Sequence, residues 1–501
     1  MAWDRHRVCR TGYRSAVLRG APALSLVFGE VMRVRVPRDH SSLADALASG
    51  ADRIVLSGVV ALPEGSVGAI LSRPVHITGG TLRGAGGWAL VVGEGVRLTG
   101  VKIENPSGHG VRIVAGAPVL EDVEIRVQGV AGVCEGHSRP VLRRVVVDGA
   151  ENGWLLREDT APDGDELAVN ASGSALVTSD RAGGHLARLA VMSGAQFACV
   201  EAHGDSHTTL SGLTVLSAGC GALHIYGRSR LVVQGGHVRQ SGTADARFPA
   251  IEIRETATPE ITALRVDQSG GRAMFLHGEA RPVFRSVTID QTGSNAVEGQ
   301  GQVVLDAKDL TIQQATGAGV VFRGEVTGRI ETLTVDQTSN VGVGLTAKVK
   351  LDLSDVTIRG AEGAALRIAG EARGVVRKAR LELLGCPAVW VQEQGALTLL
   401  DASIGQNRTH GIQVEDEARL LMRGGTVREN QGRGIAASGR ARARFDGVVV
   451  QENGGWNVEL SDQAEARWAG GPAPERCMVH PEASWSEASA RDSETTEPTS
   501  A

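Results

Sequence analysis

Aromatic residues are scarce in this chain of 501 residues, which contains 2 tyrosines, 7 tryptophans and 7 phenylalanines. Protein surfaces that bind sugars commonly use the large, amphipathic faces of Tyr and Trp. The low aromatic content therefore argues against a polysaccharide-cleaving enzyme, although it leaves that class open.

Cysteine is also sparse, and no two cysteines form a C-x-x-C pair. The six are Cys9, Cys134, Cys199, Cys220, Cys386 and Cys477. This spacing predicts thiols rather than disulfides, which favours a reducing compartment. We therefore favour a cytoplasmic location, with a secreted or periplasmic one as the alternative.

The net charge is −5, with both signs mixed along the chain. Because nucleic-acid-binding proteins usually carry a basic stripe, this balance argues against nucleic acid as a partner. No apolar run is long enough to predict a membrane span.

What the chain does have is a repeat. Sixteen aliphatic residues recur every 22 to 24 residues, with a single step of 28: Ile103, Ile125, Val147, Val169, Val191, Val215, Val238, Val266, Ile289, Ile312, Val335, Ile358, Leu381, Ile404, Val427 and Val450. A second apolar position follows most of these markers by eight residues, and a weaker third strand appears in several repeats. Three short strands and three turns fill one repeat, and no helical period is sustained. The pattern predicts an all-β, right-handed parallel β-helix of roughly 16–18 coils of 22–24 residues.

A polar column supports this register, because Asn407, Asn430 and Asn453 each lie three residues after a marker. Stacked Asn side chains hydrogen-bond to one another and to turn backbone, which predicts a structural ladder.

The ends of the chain differ from the repeats. We expect residues 32–100 to form an N-terminal cap with a short helix at 41–48 and the first coils, and 101–468 to form the β-helix, closed by Trp456 and Trp468. The Ser- and Glu-rich residues 469–501 are predicted to be a disordered tail. Residues 1–31 are interpreted as a disordered leader or a mis-assigned start, with Met32 as the natural one and a signal peptide as the alternative.

The first candidate site lies in the irregular coils. Glu201, His203, Asp205 and His207 alternate with period two, which predicts one polar face of an extended segment. Imidazole and carboxylate groups at such spacing suit a divalent metal or acid–base chemistry. The metal candidates are Glu201, Asp205 and His207, and a solvated surface is the alternative.

Neighbouring columns add further candidates. His203, Arg254 and Asp180 are the catalytic candidates, while His224 and Tyr226 are assigned to a binding face. The position ten after each marker, expected to face inward, holds charges in this region, among them Glu135 and Arg157. Either Arg157 bridges neighbouring acids or the second strand shifts register here, and we favour the shift.

The second candidate is the line Asp267, Asp290, Gln313 and Asp336, one residue after four successive markers. Stacked carboxylates repel unless they share a cation such as calcium or a proton. A solvated turn ladder is the alternative. Asp267 and Asp290 complete the predicted binding face.

The capped entrance at 33–56 and the stacked coils resemble the pectin-lyase-like superfamily, and most closely its right-handed β-helix repeat proteins, which include carbohydrate-active enzymes and the periplasmic NosD type. The resemblance covers roughly 33–465. Of the polygalacturonase motifs only His-Gly occurs, at His109, His203, His277 and His410. The pectate-lyase motif Arg-x-Pro-x-x-Arg is absent, and the string that begins at Arg139 lacks its spacing.

Two functions remain in competition. The first is a non-catalytic β-helix that presents an extended face to a polymer, such as a carbohydrate, or to a protein partner. The second is a polysaccharide lyase or glycoside hydrolase with its site near residues 180–277. No cofactor is expected, except calcium under the lyase alternative.

Overall fold

A computed structural model describes residues 32–193 and 197–487 of the chain. The predicted leader at 1–31 and the end of the predicted tail at 488–501 lie outside the described residues. The strands are numbered in chain order, and in the described ranges they form two parallel sheets that wind around a shared core.

The long-strand sheet contains the marker residues, and from β14 onward most of its strands have seven to twelve residues. Its strands are β1 (Arg33–Val36), β2 (Arg53–Leu56), β3 (Val59–Ala61), β5 (Val75–Thr78), β6 (Thr81–Arg83), β8 (Val96–Thr99), β9 (Lys102–Asn105), β11 (Val119–Glu121), β12 (Glu124–Val127), β14 (Val141–Ala150), β16 (Asp163–Ala171), β18 (Gly183–Ser193), β20 (His207–Ala218), β22 (Val232–Val238), β24 (Glu260–Ser269), β26 (Val283–Thr292), β28 (Val304–Ala315), β30 (Thr327–Thr338), β32 (Lys350–Arg359), β34 (Arg373–Glu382), β36 (Ala396–Gly405), β38 (Arg419–Arg428), β40 (Arg442–Asp446), β41 (Val449–Gln451), β43 (Glu465–Ala469) and β45 (Ser484–Glu487).

The short-strand sheet takes one strand of three to five residues from each coil. Its strands are β4 (Val67–Leu71), β7 (Trp88–Val92), β10 (His109–Ile113), β13 (Val130–Cys134), β15 (Asn152–Leu156), β17 (Leu176–Thr178), β19 (Val200–Ala202), β21 (Leu223–Ile225), β23 (Ile251–Ile253), β25 (Met274–Leu276), β27 (Val297–Gly301), β29 (Val320–Gly324), β31 (Val343–Leu345), β33 (Leu366–Ile368), β35 (Val389–Val391), β37 (Ile412–Val414), β39 (Ile435–Ala437), β42 (Val458–Leu460) and β44 (Cys477–Val479).

The all-β parallel solenoid is therefore confirmed, with about 20 turns. The excess over the expected 16–18 arises because coils also lie before Ile103 and after Val450. Each marker pairs with the next one in register, as Val266 does with Ile289 and Ile289 with Ile312, and all three are fully buried.

The expected third strand is not separate in most coils. It joins the marker strand into one bent strand, and a residue with positive φ lies at the bend, such as Asp355 (φ 52°) in β32 or Asp401 (φ 55°) in β36. Asp tolerates this left-handed conformation better than most residues, so the backbone turns the corner without ending the strand.

The asparagine ladder is confirmed. Asn407 Nδ2 donates to Asn430 Oδ1 at 2.6 Å, and Asn430 Nδ2 donates to Asn453 Oδ1 at 2.8 Å. All three side chains are buried, so each amide must find its partner in the next coil.

The register shift is also confirmed. Leu156, Thr178, Ala202 and Ile225 are paired in one column and are buried, although they lie 9, 9, 11 and 10 residues after their markers. The charged residues thus fall outside the core. Arg157 nevertheless also forms the ion pair with a neighbouring acid that was the alternative prediction. Its Nη2 lies 2.5 Å from the nearly buried Glu135 carboxylate.

At the N-terminal end, the short helix α1 (Leu43–Ala48) is present, and Ser42 Oγ accepts a hydrogen bond from the backbone N–H of Asp45 at 3.1 Å. Its role as a cap stays a prediction. Across the described ranges, every helix is too short or too polar to cross a membrane. Cys134, Cys386 and Cys477 are free thiols, in line with the predicted absence of disulfides, and Cys9 lies outside the described residues.

The expected C-terminal boundary was wrong. Two further strands, β44 and β45, pair with the preceding coil where a disordered tail was expected from 469. Trp468 is buried and stacks on Trp485, with ring centroids 5.7 Å apart, whereas Trp456 is 37% exposed and closes nothing.

Candidate functional site

The outer face of the short-strand sheet carries one column of central residues. Along β19, β21, β23 and β25 this column is Glu201, His224, Glu252 and Phe275, paired strand to strand. The residues before and after each of them point inward and are apolar, which is the alternation that a half-buried strand requires. The column is therefore held on a rigid sheet, not on a loop.

A second column lies two residues later, where each strand ends: His203, Tyr226, Arg254 and His277. Tyr226 stacks on His203 of the preceding coil, with centroids 5.0 Å apart and ring planes at 14°. On the other side, the guanidinium of Arg254 from the following coil lies 4.7 Å from the Tyr226 centroid. Both faces of the phenol ring are covered, and burial raises the pKa of Tyr226.

Glu252 lies between two imidazoles. His277 Nε2 donates to one carboxylate oxygen at 3.0 Å, and His224 Nε2 lies 3.6 Å from the other. The hydrogen bond from His277 lowers the pKa of Glu252, so the carboxylate stays ionised. Burial lowers the pKa of His224, which favours a neutral imidazole there.

An ion pair between Arg272 and Glu298 of the next coil lies beside Phe275, at the end of the two columns. Arg272 Nε donates to Glu298 at 2.7 Å, Asn295 Nδ2 donates to the same oxygen at 2.9 Å, and the Arg272 guanidinium lies 4.9 Å from the centroid of Phe275. Because Glu298 is buried, these partners offset the free-energy cost of removing its carboxylate from water.

We name these eight residues of the two columns the histidine stripe: Glu201, His203, His224, Tyr226, Glu252, Arg254, Phe275 and His277. Two of its buried nitrogens, His224 Nε2 and Arg254 Nε, form no hydrogen bond within the described part of the chain. Each lies 3.6 Å from a carboxylate oxygen, His224 Nε2 from Glu252 and Arg254 Nε from Glu255.

The chemistry that the stripe offers follows from its stacking. The faces of the Tyr226 ring are occupied by neighbours, so a ligand meets ring edges, carboxylate oxygens and N–H groups. Such a surface recognises hydroxyl and amide groups through hydrogen bonds, and it is poorly suited to stacking on a sugar face.

The structure thus brings together five of the residues chosen from the sequence: Glu201, His203, His224, Tyr226 and Arg254. The expectation of one extended segment from 201 to 207 was wrong, because the chain turns at Gly204 (φ 68°). Asp205 lies in that turn in a two-pronged ion pair with Arg228, and His207 begins a strand of the other sheet.

Asp180 is also separate from the stripe. It is exposed in the turn after β17, where its carboxylate accepts hydrogen bonds from the backbone N–H of Glu158 at 3.1 Å and from Ser179 at 3.3 Å. Within residues 32–193 and 197–487, no three His, Cys, Asp or Glu side chains are grouped closely enough to hold a metal ion.

The aspartate line lies on the long-strand sheet, apart from the stripe. Asp267 and Asp290 pair in register as expected, and Arg265 contacts both, at 2.8 and 3.2 Å. His237 Nε2 lies 2.6 Å from Asp267 as well. The guanidinium group of Arg265 therefore offsets the repulsion between the two carboxylates, for which the sequence suggested calcium.

Sequence reasoning missed Glu252, Phe275 and the Arg272–Glu298 pair. Glu252 could have been found, because it lies between the inward residues Ile251 and Ile253, at the repeat position that Glu201 and His224 occupy. The pairing of Arg272 with Glu298 spans 26 residues and depends on the length of the turn between them, which no local pattern reveals.

The comparison with protein families bears on the fold. A family model described as a right handed beta helix region matches residues 295–453, the part of the chain with strict 23-residue repeats. No curated protein matches the chain. Together with the parallel solenoid, the match identifies the fold as a right-handed β-helix repeat, and the matched region does not include the histidine stripe.

Proposed function

We propose that this protein is a non-catalytic β-helix whose histidine stripe binds a linear, polyhydroxylated polymer, most simply a carbohydrate chain. The observation that carries the proposal is the row of hydrogen-bonding side chains that paired strands hold on one sheet face. Donors and acceptors on a preorganised surface bind ligand hydroxyls without the cost of ordering side chains.

The shape of the site supports a polymer as the ligand. The stripe crosses four strands, from β19 to β25, and so extends about 14 Å along the solenoid axis. A repeating chain that lies along this axis meets equivalent positions in successive coils. A small ligand would need a closed pocket, and the stripe is an open sheet face.

Glu252 provides the sharpest test. We expect Glu252→Gln to weaken binding by tenfold or more, because the substitution keeps the size of the side chain and removes the charged acceptor at the centre of the stripe. Affinity electrophoresis through gels that contain neutral polysaccharides measures this effect directly. The matched control is Glu331→Gln, the same change at a half-exposed residue on the long-strand sheet, where Lys308 lies 3.6 Å away.

Equal retardation of the two variants by every polysaccharide that retards the wild type would contradict the proposed site. If no polysaccharide retards the wild-type chain, the carbohydrate proposal fails, and a protein partner becomes the better candidate for this face.

A hydrolase is the second candidate, and one observation favours it. Glu201 and Glu252 are two strands apart on the same face, so their backbone positions are separated by roughly 9.6 Å, close to the carboxylate spacing of inverting glycosidases. The lowered pKa of Glu252 keeps its carboxylate ionised, the form that a general base requires. Release of new reducing ends from the polysaccharide panel, abolished in Glu252→Gln, would establish this alternative.

The lyase version requires a cation. We expect calcium to raise the melting temperature if it binds the folded chain. The reducing-end assay with and without calcium, together with calcium titration of the melting temperature, therefore separates a lyase from a hydrolase. If calcium changes neither quantity, the lyase version is rejected.

A further inference from the structure

A second surface lies on the other half of the solenoid, at the corner where the turns after the short-strand sheet enter the long strands. A groove of about 730 Å³ runs there across four successive coils. Arg373, Ala396, Arg419 and Arg442, the first residues of β34, β36, β38 and β40, line its floor and are paired in register. We name these four residues the arginine groove.

Two of the cations in this groove lack a counter-charge. Arg373 and Arg419 form no ion pair with any residue that the structure describes, whereas Arg442 has Glu465 at 3.4 Å. A further lining residue, Arg440, is paired with Glu417, which lines the groove together with Glu371. Arg419 lies directly opposite Arg442, an arrangement that destabilises a sheet through like-charge repulsion. By contrast, the aspartates at 267 and 290 have Arg265 between them.

A notch separates two of these arginines. Ala396 occupies the position between Arg373 and Arg419, so two arginines flank a small side chain, with their backbone positions about 9.6 Å apart. A guanidinium group binds an oxyanion through two parallel N–H donors, and an oxyanion seated over Ala396 receives them from both sides.

We propose that the arginine groove binds a linear polyanion that carries phosphate or sulfate groups, with one oxyanion over Ala396 and the next beside Arg442. The groove follows the solenoid axis for about 14 Å, which suits a chain better than a single ion. None of the residues that line it is aromatic, so it offers no platform for stacking bases, and nucleic acid is disfavoured as the occupant. This proposal does not depend on the carbohydrate proposal for the histidine stripe.

The decisive variant is Ala396→Glu, which places a carboxylate between Arg373 and Arg419. We expect it to weaken binding of inorganic polyphosphate and of dextran sulfate at least tenfold while raising the melting temperature. These opposite signs distinguish an occupied site from a misfolded one. The full-length chain is titrated with each probe by fluorescence anisotropy at several salt concentrations, because binding through arginines weakens steeply as salt rises.

The control is Thr334→Glu, which adds the same charge on the long-strand sheet between Thr311 and Thr357, away from the groove. It should bind both probes as the wild type does. Preference for one probe identifies the anion: tighter binding of polyphosphate indicates phosphate groups, and tighter binding of dextran sulfate indicates a sulfated chain.

The proposal is overturned if the wild type binds neither probe, if Ala396→Glu binds as tightly as the wild type, or if both glutamate variants lose affinity equally. It is also overturned if single-stranded DNA of equal charge binds more tightly than either probe, because the groove would then recognise bases.

Discussion

The histidine stripe and the arginine groove are built on the same solenoid, yet they treat charge in opposite ways. In and beside the stripe, most charges have a partner within one or two coils: Glu252 has two imidazoles, Glu298 has Arg272, and Arg254 covers Tyr226. In the groove, Arg373 and Arg419 have no ion-pair partner among the described residues, and Arg419 faces Arg442. A parallel β-helix stacks equivalent positions about 4.8 Å apart, so like charges in one column repel unless another group separates them. In the stripe, the ring of His224 separates the carboxylates of Glu201 and Glu252, whereas in the groove Arg419 and Arg442 are direct neighbours.

The largest expected effect comes from comparing two arginine substitutions, one beside the histidine stripe and one in the arginine groove. We expect Arg272→Ala to lower the free energy of unfolding by about 2 kcal/mol, because Glu298 remains as a buried carboxylate without its ion-pair partner. Arg419→Ala should change it by less than about 0.5 kcal/mol, as for an ordinary surface position. Equilibrium urea denaturation measures both, and equal losses would show that the two regions do not differ in this way.

A smaller effect is expected within the stripe itself. Tyr226→Ala removes contacts with His203 and Arg254 and should lower the free energy of unfolding by about 1 to 2 kcal/mol. Tyr226→Phe keeps the ring between the same neighbours and should remain close to the wild type. Thermal unfolding of the two variants side by side tests the stacking, and a large loss in the Phe variant would instead assign the stability to the hydroxyl.

The stripe should also respond to pH. Burial holds the pKa of His224 below its ordinary value of 6.5, so its contribution to stability is present above that pH and is lost as the pH falls through the folded-state pKa. Its neighbours Glu252, Arg254, Glu201 and His277 also act on this imidazole. We expect the melting temperature of His224→Gln to fall less than that of the wild type between pH 7 and pH 5. Parallel profiles would show that His224 does not titrate on unfolding.

At lower pH, protonation of Glu252 is expected to reduce stability. Its pKa is depressed from the ordinary 4.5, chiefly by the hydrogen bond from His277, so its contribution is present above pH 4.5 and is lost as the pH falls through the folded-state value. Melting curves of Glu252→Gln should therefore fall less steeply with acid below pH 4.5 than those of the wild type.

The smallest effect is expected in the groove. Arg419→Gln should raise the free energy of unfolding by about 0.3 kcal/mol at low salt, because it relieves repulsion with Arg442. The gain should vanish near 1 M salt, where the screening length is only about 3 Å. A gain that persists at high salt would mean that the arginine destabilises the fold through packing and not through charge.

Much of the fold was predictable from particular residues. The seven equal steps from Ile289 to Val450 predicted the coils that the structure contains, and the column Asn407, Asn430, Asn453 predicted a ladder that is present. The site was predictable only in part. His203, His224 and Tyr226 are together as expected, but Asp205 and His207 are directed elsewhere by the turn at Gly204.

The arginine groove was within reach of the sequence but was not recognised. Arg373, Arg419 and Arg442 occupy one repeat position, at intervals of two coils and one coil. The net charge of the whole chain is −5, so it does not reveal this local row of cations. Only its alignment along one corner of the solenoid separates it from the many arginines that are paired.

The sequence alone determined that this chain is a solenoid, because an apolar residue at a constant interval can be buried only if each repeat adopts the same coil and stacks on the last. The tertiary structure alone decided which polar side chains meet. Contacts such as His224 with Glu252 and Glu252 with His277 cross intervals of 28 and 25 residues. Those intervals depend on turn lengths that vary from coil to coil, so the partner of an outward residue is set by where the next turn returns the chain to the sheet.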